Sequence, residues 1–169
     1  LGDVYKRQLQ ETGLRDPIDR ENPVALAEQN DAFLVPVTYM NSSADLKDFV
    51  GRHGGIVCTS TNASGALQWA FDRAGKGGSV LFFPDQHLGR NTGASMGIDQ
   101  ALMPTWTPGI GAMGELDGSR IILWHGFCSV HKRFTVAQID DFREREPEGI
   151  VVVHPECPIE TVEASDANG

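Results

Sequence analysis

Past residue 33 the chain alternates short β-branched or aromatic runs with helix-period segments, and this alternation limits its fold more than any other feature. "FLVPVTY" (33–39) reads as a strand. "SADLKDFVG" (43–51) follows as a helix, with Ser43 as cap and Leu46, Phe49 and Val50 on one face. "GIVCTS" is the next strand. "NASGALQWAFDRAG" is a stronger helix, because Ala63, Ala66, Leu67, Ala70, Phe71 and Ala74 form one apolar stripe that Gly75 ends. "SVLFFP" is a strand finishing at Pro84, and "RIILW" (120–124) is another. Residues 89–119, rich in Gly, Pro and Met, are expected to be mostly irregular. "TVAQIDDFRERE" (135–146) opens on a Thr135/Gln138 capping box and predicts a helix. "GIVVVH" predicts a strand, and "PIETVEASDA" begins one more helix. Strands and helices alternating in this way build a parallel α/β sheet with right-handed crossovers.

Length and charge narrow the function classes. The 169 residues suffice for one domain or slightly more. A formal net charge of −9 argues against nucleic acid or an anionic membrane as partner. No apolar run approaches the length of a membrane span, and no signal-peptide pattern opens the chain. Cys58, Cys128 and Cys157 are too few and too scattered for a disulfide scaffold, which points to a reducing, cytoplasmic setting. "LGDVYKRQ" (1–8) reads as a translated sequencing adapter, so native sequence is expected from near Leu9. "SDANG" closes the sequence without a helix-ending signature, and the whole reads as an internal fragment.

Ligands of parallel α/β sheets bind beyond the carboxyl ends of the strands. The residues expected there are Tyr39 and Asn41; Ser60, Thr61 and Asn62; Asp85, Gln86 and His87; His125, Cys128 and His131; and His154, Glu156 and Cys157. "CTSTNAS" offers a helix start to an anion, although Ser60 or Asn62 could equally cap that helix. "HPEC" offers His154 as proton carrier or ligand and Glu156 as general base, against a plain surface or capping role. In "WHGFCSVH", His125, Cys128 and His131 would all have to converge from one short turn to bind zinc, which normally draws on separated ligand pairs. One cysteinyl ligand given from the strand end is simpler, with Gly126 permitting close backbone approach; a buried free thiol is the bland alternative. A weak internal repeat sets "VTYMNSSADLK" on "VVHPECPIETV", so that Tyr39 falls on His154 and Asn41 on Glu156.

Taken in order, "TYMNSSADLK", "CTSTNA", "LFFPDQHLGRNT", "ILWHGFCSVHKRF" and "VVVHPECP" resemble the quinolinate synthase family over roughly residues 35–169. The segment between "HLGRNT" and "RIILW" resembles the actinobacterial branch. The resemblance implies three-layer αβα domains, three of them around a pseudo-threefold axis, with a [4Fe-4S] cluster where they meet. It implies a transferase of de novo NAD biosynthesis that condenses iminoaspartate with dihydroxyacetone phosphate into quinolinate, with L-aspartate oxidase supplying the iminoaspartate. Each domain would contribute one cysteine, leaving one iron open as a Lewis acid. Carried over by position, Cys128 matches the middle cluster ligand. Tyr39 and Asn41 match a substrate-holding pair, Ser60 an anion-binding serine, and His154 and Glu156 a pair placed for proton transfer. Tyr39 also stands with Glu156 and His154 among the catalytic candidates.

The family's first cluster cysteine would lie upstream of Tyr39 and its third beyond Gly169, so both are missing here. Cys58 and Cys157 do not match ligands and are expected to be small buried thiols. The implied organisation is non-native residues 1–8, a second αβα domain over 9–127 lacking its N-terminal part, and the start of a third over 128–169. Alone, such a piece is expected to hold no stable cluster and to be inactive. Two other classes stay open: a zinc hydrolase using His125, Cys128, His131 and His154 with Glu156 as base, and a non-enzymatic anion-binding module at "CTSTNAS".

Overall fold

The structure, a computed structural model, describes residues 34–169. The expectations for the adapter-like residues 1–8, for a native start at Leu9 and for Phe33 fall outside the described residues. Three strands open the described chain: β1 (Leu34–Tyr39), β2 (Ile56–Cys58) and β3 (Ser79–Phe83). Helices α1 (Ala44–Arg52) and α2 (Ala63–Ala74) connect them. α1 starts where expected, because the Ser43 side chain accepts from the Leu46 N–H at 3.2 Å. Next come α3 (Gln86–Ser95), the short strands β4 (Thr105–Thr107) and β5 (Gly111–Met113), and β6 (Ile121–Trp124).

These strands form one six-stranded sheet in the order β2-β1-β3-β6-β4-β5, parallel throughout except for β5, which runs antiparallel to β4 at the edge. Alternating side chains divide the core between the two faces. Val35, Val37, Val80, Phe82, Ile121 and Leu123 pack with α2 and with Leu88 of α3. Leu81, Phe83, Ile122 and Trp124 face the other way, against Leu46, Phe49 and Val50 of α1. Helices on both faces make a three-layer αβα arrangement, around the parallel sheet that the alternation predicted and in the layers that the resemblance implied. Leu67, Phe82, Leu88 and Leu123 are fully buried, and each side chain contributes about 1.5–3 kcal/mol through removal from water.

The expectation for residues 89–119 needs correction. Most of α3 lies in the supposedly irregular stretch, and β4 inserts into the sheet beside β6. Two glycines concealed the helix from a sequence reading, since each lowers helix propensity by about 1 kcal/mol. Their role is close packing. A Cβ on Gly89 would lie 2.6 Å from Leu123 and 2.7 Å from Phe82, and one on Gly93 would lie 2.4 Å from Met103. The bare face of α3 therefore lies directly on the sheet.

Beyond β6 the chain makes a short 3₁₀ turn (His131–Arg133), α4 (Val136–Arg145), β7 (Val152–Val153), α5 (Ile159–Ala164) and β8 (Ala167–Asn168). Thr135 N–H donates to the Gln138 side chain at 2.9 Å, as the capping-box pattern predicted. The expected strand "GIVVVH" is reduced to two residues, paired in parallel with β8 in a separate two-stranded sheet.

Candidate functional site

Strand order decides which side chains meet. β1 leaves through α1 toward β2 on one side, and the chain returns through α2 to β3 on the other. The gap between the carboxyl ends of β1 and β3 is therefore a topological switch point, where open α/β sheets place ligands. Tyr39 ends β1, Ser60 lies two residues past β2, Asp85 two past β3, and Cys128 four past β6. Because β2, β1, β3 and β6 are neighbours, these four residues line one edge of the sheet.

Tyr39 is buried and hydrogen-bonds the Ser60 hydroxyl. Burial first, and then the negative charge of Glu156, push its phenol up to about 12, so it keeps its proton at neutral pH and can donate to an anion. Ser60 is thus engaged with Tyr39. Asn62 uses its Oδ1 to accept from the Thr59 N–H (2.7 Å) and hydroxyl (3.1 Å), while its own N–H donates to the Thr59 hydroxyl at 3.3 Å, a reciprocal pair just ahead of α2. Of the two residues considered for capping, Asn62 takes that local role with Thr59, and Ser60 does not. Asn41 lies half-buried two residues past Tyr39.

The "HPEC" loop brings the second arm. Glu156 is 1% exposed, and its Oε2 lies 3.4 Å from His154 Nδ1 and 3.2 Å from His131 Nδ1. The His131 contact is close but lacks hydrogen-bond alignment. The two imidazoles stack with centroids 4.5 Å apart and planes 9° apart. Glu156 N–H donates to His154 Nδ1 at 3.2 Å, which in a neutral ring leaves the proton on Nε2. Burial, then the neighbouring His131, hold His154 below the usual imidazole range and keep it neutral. His131, read from sequence only as a possible metal ligand within "WHGFCSVH", stands against the carboxylate, and the three side chains could hold a metal ion.

His125 points elsewhere. Its Nδ1 is 2.9 Å from the Thr107 hydroxyl on β4, so the three potential ligands of "WHGFCSVH" do not converge. Gly126 allows a close approach, but to the chain itself: a Cβ there would lie 2.2 Å from the Pro84 carbonyl oxygen. Cys128 is fully buried, and its N–H donates to Asp85 Oδ2 at 2.9 Å. Asp85, also fully buried, accepts from Leu88 N–H through Oδ1 at 2.8 Å. Burial raises its carboxyl to about 7, against the opposing pull of these N–H donors. All three cysteines are free and buried. Burial pushes the Cys58 thiol up to about 12 and raises that of Cys157 as well.

A phenol, a carboxylate and two imidazoles near the carboxyl ends of the strands, beside a buried thiol, are groups chemically able to bind an anion and to exchange protons. A sequence profile described as quinolinate synthetase A protein matches residues 11–169. The chain belongs to this family. It is 58% identical over 143 residues to the quinolinate synthase of Corynebacterium glutamicum, a match covering 82% of this chain and 36% of that protein. Identity to the quinolinate synthase of Rhodopirellula baltica is 51% over 141 residues, covering 80% and 35%. For that of Bacillus subtilis it is 47% over 139 residues, covering 80% and 37%. The chain thus spans little more than a third of the length of these quinolinate synthases. Neither the zinc-hydrolase nor the anion-module reading gains support from these likenesses. No helix among the described residues is long and apolar enough to cross a membrane.

Proposed function

We propose that this chain is the part of a quinolinate synthase that carries the substrate-holding and proton-transfer groups, and that the whole enzyme condenses iminoaspartate with dihydroxyacetone phosphate. The observation that carries this reading is that Tyr39, at the carboxyl end of β1, feels the charge of Glu156, which His131 and His154 flank, within a chain of this family. Atom balance of the condensation requires loss of phosphate and water, hence several proton movements. Glu156, flanked by two imidazoles, is placed to take and return protons, and neutral His154 offers its Nε2–H to a substrate oxygen. Tyr39, Ser60 and Asn41 hold carboxylate or phosphate oxygens and orient them for bond formation. L-aspartate oxidase would supply the iminoaspartate in a reducing cytoplasm, which suits three free thiols.

The donor set admits the expected cofactor in part. Cys128 is buried at this edge with its backbone pinned, which fits one ligand of a [4Fe-4S] cluster. Cys58 does not fit, because it ends β2 inside the apolar core packed by α2. The remaining ligands are therefore assigned outside the described residues. When bound, the cluster would supply a Lewis-acidic iron to polarise the substrate. Residues 128–169 are read as the start of a third domain. The two-stranded β7–β8 sheet is marginal by itself. Its groove of about 300 Å³, lined by Phe134, Phe142, Ile150 and Val152, is apolar surface for that domain's remaining elements to cover.

The Tyr39→Phe variant tests the site. Loss of the hydroxyl removes a bond to a charged group, expected to raise KM roughly ten- to a hundredfold. Steady-state kinetics on the full-length protein measure this, and an unchanged KM would remove Tyr39 from substrate binding.

A further inference from the structure

Helix α3 reaches two parts of the site, one from its N-cap and one from its middle. At its start, the Asp85 carboxylate accepts from Leu88 N–H (2.8 Å) and from Cys128 N–H (2.9 Å), tying the helix to the thiol-bearing loop. Further along, the buried Asn91 donates through Nδ2 to the Pro155 carbonyl (2.7 Å) and the Cys157 carbonyl (2.8 Å), the two that flank Glu156. Both acceptors are carbonyls, so the amide must present its NH₂ group to them. Asn91 Oδ1 is left without a partner although buried, an unfavourable placement that pinning the Glu156 loop accounts for. Gly89 and Gly93 seat this same helix against the sheet, so it has little room to shift.

We propose that α3 is the alignment element of the site: Asp85 positions Cys128, Asn91 positions Glu156, and the rigid helix sets one relative to the other. Both act through other residues and touch no substrate. The proposal rests on the reading of Glu156 as proton carrier, and the test separates the two. In the full-length protein, Asn91→Ala is expected to lower kcat roughly ten- to a hundredfold, the size of effect that small misplacements produce, with KM and iron content little changed. In the Glu156→Gln background the same substitution should change kcat less than about twofold, because the group it positions is already lost. Amide hydrogen exchange across residues 154–157 should quicken in Asn91→Ala, a readout independent of activity. Asp85→Asn, which replaces one acceptor oxygen by a donor, should speed iron loss to a chelator. Asn91→Ser, keeping one donor, serves if the alanine variant does not fold, and should show a smaller loss of the same kind. An equal fall in both backgrounds, unchanged exchange in the loop, or iron retention in Asp85→Asn equal to that of the unsubstituted protein would overturn the proposal. Full activity in Glu156→Gln itself would instead overturn the reading beneath it.

Discussion

Cys128→Ala in the full-length protein is expected to lose its cluster, with iron and acid-labile sulfide falling well below those of the unsubstituted protein and quinolinate formation falling to background. The thiol is fully buried at the sheet edge that holds Tyr39 and Asp85, and its backbone is fixed by Asp85. If the proposed cluster leaves one iron open for substrate, removing one of its thiolates would leave too few ligands to hold it. Cys58→Ala and Cys157→Ala are expected to keep their iron. Cys58 packs in the core against α2, and burial holds its proton. The Cys157 carbonyl, not its thiol, accepts the hydrogen bond from the Asn91 amide. Anaerobic iron and sulfide analysis of the three variants decides this. Iron loss in Cys58→Ala with retention in Cys128→Ala would reverse the ligand assignment.

Glu156→Gln is expected to reduce kcat by roughly a hundred- to ten-thousandfold, the usual contribution of a positioned acid or base. The substitution keeps shape and burial while removing the ability to take a proton. Iron content should be unchanged, because Glu156 lies against His131 and His154 and is not the thiol donor. Single-turnover measurement under anaerobic conditions separates this chemical effect from product release. Normal turnover would remove Glu156 from the mechanism.

The sequence showed the sheet more clearly than the site. β1, α1, β2, α2 and β3 were legible because their apolar periods are regular and Ser43 caps as its chemistry predicts. α3 was not, since Gly89 and Gly93 serve packing against Leu123, Phe82 and Met103 at the cost of helix propensity. β4 was hidden in the same composition, its partner lying in β6. At the site, the repeat between the Tyr39 and His154 segments pointed to two arms, and the structure sets Tyr39 within reach of the charge on Glu156. Asp85 appeared among the strand-end residues, but nothing local marked its bond to Cys128, 43 residues away. Asn91 showed no signal at all, because its partners are carbonyls 64 and 66 residues further on. His131 was visible inside "WHGFCSVH" but was read against Cys128, whereas its neighbours are His154 and Glu156. Such roles depend on the crossing of distant segments, which hydrophobic period and turn chemistry do not encode.

The most direct test is quinolinate formation by the full-length protein, reconstituted anaerobically and supplied with iminoaspartate and dihydroxyacetone phosphate. Quinolinate should accumulate with a brown, iron- and sulfide-containing protein. A protein that carries its full cluster and both substrates yet makes no quinolinate, or one that holds a single zinc and no sulfide, would contradict the account.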